Sequence, residues 1–338
     1  MRILVLGGSG FVGRAMAELA VARGDTVTVF NRGLRSPVDG VEVRTGDRLA
    51  DDGLAALATG EWDAVVDTWS AAGEVVGAAA ALLKGRAGHF TYVSSRSVYL
   101  FDEDGHQPGL DEHAPLVDAA DPGYAGDKLR GELATAVFDG PVLLARAGLI
   151  LGPHEDIGRL PWWLHRLHRG GPTLAPGPRE LPLQYIDARD LAAFVLDNAA
   201  AGRTGPFNTV SPPGHTTMGE FLDIAVEVTG GRAELRWRDP ETILAAGIEP
   251  WIQLPVWLPP GPLHNFLHAG DVSRALAAGL RCRPVRETIT DTWNWLPPQP
   301  PQRADRPVLG LDPELESAVT GLPGGGVGGH DVQAAVGQ

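Results

Sequence analysis

The first 150 residues repeat one unit, a short β-branched apolar run followed by a stretch with alanine and leucine at helical spacing. The runs are "ILVL" at 3–6, "TVTVF" at 26–30, "VEVR" at 42–45, "DAVVD" at 63–67, "HFTYVSS" at 89–95 and "PVLLAR" at 141–146. Between them, "FVGRAMAELAVARG" (11–24) and "SAAGEVVGAAAALLKG" (70–85) end in glycine, the residue that commonly follows a helix C-terminus. Strands that alternate with helices form parallel sheets, because each helix carries the chain back to the starting edge. Six strands in this order predict a doubly wound α/β fold.

Directly after the first run, "LVLGGSGFVGRAM" sets Gly7, Gly10 and Gly13 three residues apart, with Phe11 and Val12 opening a helix. A glycine turn lets the backbone approach a pyrophosphate, and the helix N-terminus adds free N–H groups and partial positive charge. Strand before and helix after are both legible, so the loop reads as a dinucleotide site in a Rossmann-type sheet. An NAD-preferring site carries a carboxylate near the end of the second strand for the ribose hydroxyls. Here Phe30, Asn31 and Arg32 stand there instead. No carboxylate would repel a 2′-phosphate and a guanidinium can pair with one, so NADP is favoured, with NAD as the alternative. Asp47, in "GDR" after the third strand, could accept the adenine amino group or serve as a turn residue.

The stretch "GYAGDKLRGE" (123–132) holds one of only two lysines, in a chain whose other 26 basic residues are arginine. Tyr124 and Lys128 are four apart on the expected helix and share a face. A phenol with an ordinary pKa of about 10 exchanges protons poorly at neutral pH unless a fixed positive charge favours its ionised form. A compact ammonium suits that task in a way a guanidinium fork does not. At the end of the fifth strand Ser95 lies at the carboxyl edge of the sheet, where such folds bind ligands, and can hydrogen-bond a substrate carbonyl.

With these residues the chain resembles the extended short-chain dehydrogenase/reductase superfamily, in particular its NAD(P)-dependent epimerase/dehydratase-like family. The matching stretches are "GGSGFVG" (7–13), "VSSRSVY" (93–99), "LDEHAPL" (110–116), "YAGDK" (124–128), "RAGLILGP" (146–153) and "QYIDARDLA" (184–192), so the resemblance runs to about residue 296. It implies that Tyr124 is the general acid/base, that Lys128 lowers its pKa and holds the nicotinamide ribose, and that Ser95 orients the reacting oxygen. Two departures bear on the substrate. After the fourth strand "DTWSAAG" puts Trp69 and Ser70 where many members have a His-x-Ala-Ala-like sequence, and Gly148 stands where nucleotide-sugar enzymes of the group usually have Asn. Together they favour reduction of a smaller carbonyl compound over action on a nucleotide sugar. The alternatives are an epimerase or dehydratase that retains its cofactor, and a non-catalytic nucleotide-binding or RNA-associated member.

The rest of the chain sets bounds. Residues 1–150 are expected to form the dinucleotide-binding domain, with "LQYIDARDLAAFVLDNAA" (183–200) returning to it, and 151–296 a smaller α+β substrate-binding lobe rich in Pro, Trp and His. From 297, "PPQPPQRADRP" reads as a linker, "DPELESAV" (312–319) as a short helix with Asp at its N-cap, and the glycine-rich remainder as a mobile tail. A net charge of −14 opposes nucleic acid, and no run approaches the roughly 20 apolar residues of a membrane span. One cysteine, Cys282, excludes an internal disulfide and fits a reducing cytoplasm. Helices flanking such sheets often make homodimers. "WWLHRLHRGG" (162–171) spaces Arg166 and Arg169 along a helix face expected to be solvated. His264 and His268 could share a metal from one helical face, but no third ligand accompanies them, so no metal is expected. Trp162, Trp163, Trp251 and Trp257 either line an apolar pocket or pack the lobe. Asp102, Glu103 and Asp104 read as a solvated turn.

Overall fold

In the computed structural model, residues 1–103, 109–298 and 308–321 are described. Asp104, most of the Pro-rich stretch from 299 to 307 and the tail from 322 lie outside them, and with them the expected linker and mobile tail. The six apolar runs form β1 (Arg2–Leu6), β2 (Thr26–Asn31), β3 (Glu42–Thr45), β4 (Ala64–Asp67), β5 (Phe90–Ser95) and β6 (Val142–Ala147). Helices α1 (Phe11–Ala22), α2 (Gly73–Leu83) and α3 (Tyr124–Ala134) connect them across the sheet.

The second half contributes β7 (Ile150–Leu151), α4 (Arg159–Arg169), β8 (Gly171–Pro176), β9 (Pro182–Leu183), β10 (Ile186–Asp187), α5 (Ala188–Ala200) and β11 (Gly205–Thr209). Then follow β12 (Thr216–Thr217), α6 (Met218–Val228), β13 (Ala233–Arg238), α7 (Pro240–Ala245), α8 (Pro262–His268), α9 (Ser273–Ala277), α10 (Val285–Trp295) and α11 (Pro313–Gly321). The central sheet is wholly parallel and runs β11-β6-β5-β4-β1-β2-β3. It is Rossmann-type and doubly wound. The chain begins at β1, builds outward to β3, then returns to β4 on the other side, so β1 and β4 flank the crevice where such sheets bind ligands.

β11, "GPFNT", is a seventh strand that apolar patterning did not reveal. It lies at the edge beside β6, where Pro206 needs no second ladder partner. One face of the sheet is covered by α1 and α5, whose Met16, Ala20, Leu191 and Val195 pack on Ile3, Val5, Val29 and Val66. The other is covered by Val76, Ala79, Ala80 and Leu83 of α2, on Leu4, Leu6, Val65 and Tyr92. A separate core gathers α4, α6, β8 and α10 around Trp163 and Trp257. Both indoles are fully buried, with their N–H groups donated to the carbonyls of Pro255 and Gly177, so these two tryptophans are packing residues.

Arg166 corrects an expectation. Rather than facing water, its Nε reaches both carboxylate oxygens of Glu316 (2.9 and 2.7 Å), and its remaining nitrogens take the carbonyls of Gly170 and Pro172. The partner comes from α11, 150 residues on, so local sequence could not supply it. Asp312 does cap that helix, accepting from the N–H groups of Glu314 and Leu315. Trp163→Ala should cost about 3–5 kcal/mol through the cavity and the lost hydrogen bond. Denaturant unfolding checks this: the midpoint should fall while the slope stays constant.

Candidate active site

The glycine loop turns where β1 ends. Gly7 has φ of +95°, a conformation side chains rarely adopt, and a Cβ there would collide with the hydroxyl of Thr68. A Cβ on Gly13 would strike the carbonyl of Gly7, so this glycine lets α1 seat against the strand. For these two positions the crowding comes from the protein itself rather than from a ligand. Gly10 is the N-cap, Phe11 is buried, Val12 is half-buried, and no side chain caps the amino end of α1. Its first-turn N–H groups and the positive end of the helix dipole are thus suited to a pyrophosphate.

At the ends of β2 and β3, Arg32, Leu34, Thr45, Gly46 and Asp47 line a hollow of about 450 Å³. The Asn31 side-chain oxygen accepts from the Gly33 N–H, while its buried Nδ2 has no hydrogen-bond partner among the described residues. Arg32 is exposed. Asp47 accepts from the Leu49 N–H at 3.1 Å, the geometry of a turn residue, and still borders the hollow. An orphaned donor, an exposed guanidinium and no carboxylate at the end of β2 fit the adenosine end of a dinucleotide.

Tyr124 and Lys128 lie in the first two turns of α3, which opens at Gly123. Lys128 is 3% exposed, and its ammonium donates to the carbonyls of Trp69 and Val93, both at 2.7 Å. The ammonium also lies over the Tyr92 ring, 4.7 Å from its centroid. Tyr124 is 43% exposed and so open to a reactant. Ser95 ends β5, with its hydroxyl accepting from the Ser97 N–H and contacting the Ser97 hydroxyl at 3.1 Å. The carbonyl of Val93 ties β5 to Lys128, so the strand that carries Ser95 and the helix that carries Tyr124 meet at the ammonium.

Beneath these residues runs a buried network that sequence reasoning missed. Arg146 of β6 pairs with Glu132 of α3 (2.8 and 3.0 Å), and Glu132 accepts from the Ser94 hydroxyl at 2.6 Å. Arg146 also donates to the Tyr99 hydroxyl, which donates to Asn208 of β11. Glu112 accepts from the Asn208 N–H. Glu132 stands one turn beyond Lys128, so the pair fixes the rotation of α3 against the sheet. The one sequence signal is Arg146, the single charged residue in the otherwise apolar strand β6.

The two departures also have a place. A Cβ on Gly148 would fall 2.5 Å from a methyl of Val210, so no asparagine fits there without displacing that valine. Trp69 supplies a carbonyl to Lys128, a role that its backbone plays and that no residue-type pattern would announce.

The sequence matches the NAD dependent epimerase/dehydratase family over residues 3–208. The chain belongs to that family. Solved structures of similar fold include UDP-N-acetylglucosamine 4-epimerase from Bacillus cereus, 18% identical with a TM-score of 0.65 over 88% of this chain and 99% of that one. The Bordetella bronchiseptica enzyme WbmH in complex with NAD+ is 18% identical, with a TM-score of 0.63 over 87% and 97%. Human epimerase family protein SDR39U1 with NADPH is 21% identical, with a TM-score of 0.59 over 87% and 99%. The sequence matches no curated protein. The match to the family ends at residue 208, so it takes in the glycine loop, Ser95, Tyr124 and Lys128 and leaves the last third of the chain outside.

Among the described residues no group of three His, Cys, Asp or Glu side chains is arranged to hold a metal ion, and no helix is long and apolar enough to cross a membrane. The rings of His264 and His268 lie 4.9 Å apart, tilted at 39°, and both bind main chain: His264 the Pro182 carbonyl, His268 the Gln184 N–H. Burial first, then His264, pushes His268 down to about 3 from 6.5. A folded-state value below the unfolded one means that the unfolded chain takes up the proton first. This contribution is therefore complete above about 6.5 and is lost as pH falls toward about 3. Lowering the pH to about 5 should cost about 2 kcal/mol through this residue. Thermal or denaturant unfolding of His268→Gln should show a correspondingly flatter pH dependence.

Proposed function

We propose that the chain is an NADP(H)-dependent oxidoreductase that reduces a small-molecule carbonyl, with Tyr124 as proton donor, Lys128 as the charge that acidifies it and Ser95 as the group that orients the reacting oxygen. The observation that carries this reading is the buried ammonium of Lys128, anchored on two carbonyls one helical turn from an exposed phenol. A buried charge so held cannot relax away from the phenol as a solvated lysine would.

Gly7, Gly10, Phe11, Val12 and Gly13 would hold the pyrophosphate, Asn31, Arg32 and Asp47 the adenosine end, and Lys128 the nicotinamide ribose. Bound NADPH supplies the hydride. Ser95 donates toward the substrate oxygen and fixes it beside Tyr124. Tyr124 releases its proton to that oxygen as negative charge develops there, and the ammonium of Lys128 stabilises the phenolate that remains. Arg32, exposed at the end of β2 where that strand itself carries no carboxylate, supports the phosphorylated dinucleotide.

A second reading, an epimerase or dehydratase that keeps its cofactor through turnover, draws on the family itself and on the epimerases of similar fold. Gly148 favours the reductase over a nucleotide-sugar epimerase, because Val210 fills the space an asparagine would need. Consumption of NADPH in proportion to product supports the reductase, whereas turnover with no net consumption sinks it. Tyr124→Phe should lower kcat about 100- to 10,000-fold while leaving NADPH affinity within a few-fold, read by cofactor fluorescence. Arg32→Ala should weaken NADPH about tenfold and leave NADH unchanged, since only the former carries the 2′-phosphate.

A further inference from the structure

We infer that Arg48 and Asp67 are a positioning pair for Lys128, holding the Trp69 peptide so that its carbonyl meets the ammonium. The inference rests on the proposed roles of Tyr124 and Lys128 and explains how the second of them is kept in place.

Asp67 is the last residue of β4 and is fully buried, and the Arg48 side chain is 6% exposed. Their contact is bidentate, at 2.7 and 2.8 Å, and a further Arg48 bond goes to the Val75 carbonyl of α2 at 2.8 Å. The Asp67 oxygen that takes the first of these also accepts from the Trp69 N–H at 2.9 Å. The Arg48 guanidinium covers the Trp69 ring at 5.1 Å. Trp69 is therefore gripped at its amide by the carboxylate and across its ring by the guanidinium, while its carbonyl takes Lys128.

Thr68, between the two, donates its hydroxyl to the Leu6 carbonyl and fills the space where a side chain on Gly7 would sit. Residues 67–69 thus touch the glycine loop on one side and the lysine on the other. The two anchors of the ammonium differ in kind. Val93 is in the middle of a paired strand and needs no brace, whereas Trp69 lies just past a strand end.

Stability alone gives little reason for such a pair, because desolvating two charges can offset their attraction and apolar replacements are often neutral. Orientation gives a reason, since a bidentate guanidinium fixes direction as well as distance. The charged and titratable groups gathered here are Asp67 and Arg48, Tyr92 of β5, and Tyr124, Lys128 and Glu132 of α3.

The test is a spectrophotometric tyrosine titration of the full chain, which needs no substrate. Tyr92, Tyr99 and Tyr185 are held above the ordinary phenol range, chiefly by burial, so the first tyrosinate to form should be the one that Tyr124→Phe removes. Arg48→Met alone leaves the Asp67 carboxylate buried and unpaired, which destabilises the fold. The informative variant joins Arg48→Met with Asp67→Asn, removing both charges and keeping an acceptor for the Trp69 N–H.

In that folded variant the Tyr124 phenolate should bind its proton about tenfold more tightly, an upward move of about 1 on the pH scale. Arg48→Lys, which keeps the charge but loses the fork, should fall between it and the parent, and it serves alone if the double variant does not fold. An unchanged midpoint in whichever of these folds, with Lys128→Met moving it, overturns the inference and leaves the reading of Tyr124 and Lys128 standing. A midpoint that Lys128→Met also fails to move removes that reading and the inference together.

Discussion

A lysine ammonium that is 3% exposed must be solvated by the protein, and the rest of the site follows from how that is done. Water is replaced by two carbonyls and the face of a tyrosine ring. One carbonyl belongs to the interior of β5 and the other to the turn after β4, so the ammonium joins two elements whose strands lie side by side in the sheet. The helix that carries the lysine is locked in turn by the Glu132–Arg146 pair, which reaches β6 and, through Tyr99 and Asn208, β11. The charge is fixed because every element around it is fixed.

The same logic places the cofactor crevice. In a doubly wound sheet the strand order reverses beside β1, and loops from the two directions part there, leaving an opening. The glycine loop fills the floor of that opening with backbone. Gly7 yields its side-chain space to Thr68, and Gly13 yields its own to the Gly7 carbonyl, which brings the amino end of α1 close to the strand. Residues 67–69 stand between this floor and Lys128, so the glycine loop and the placement of the ammonium draw on one short segment.

Much of this was legible in the chain. All six runs became strands of the central sheet; the inner strands were legible because a strand buried on both faces is a run of apolar residues wherever it lies, while β3 is a largely exposed edge strand marked by Val41 and Val43. The edge strand β11 was not legible, since "GPFNT" carries neither a continuous apolar run nor alternation, and its pairing with β6 comes from the sheet edge it meets. Arg166 read as a surface residue for a similar reason: an arginine on a helix is normally solvated, and its partner Glu316 is supplied from far along the chain. The family match covers the residues whose spacing carried the resemblance, so that resemblance was sound in kind.

By itself the sequence determined six of the strands, the glycine turn and the pairing of Tyr124 with Lys128 on one helical face, because each depends on neighbours within about five residues, and local periodicity records such neighbours. Only the tertiary structure decided that Lys128 is buried rather than solvated, that the Trp69 carbonyl receives it, and that Arg48 pairs with Asp67 and Arg146 with Glu132. Those contacts join residues far apart in the chain, and one of them is made by backbone atoms that every residue type shares. Nothing in the order of side chains encodes which carbonyl a lysine will find; the closing of the sheet does.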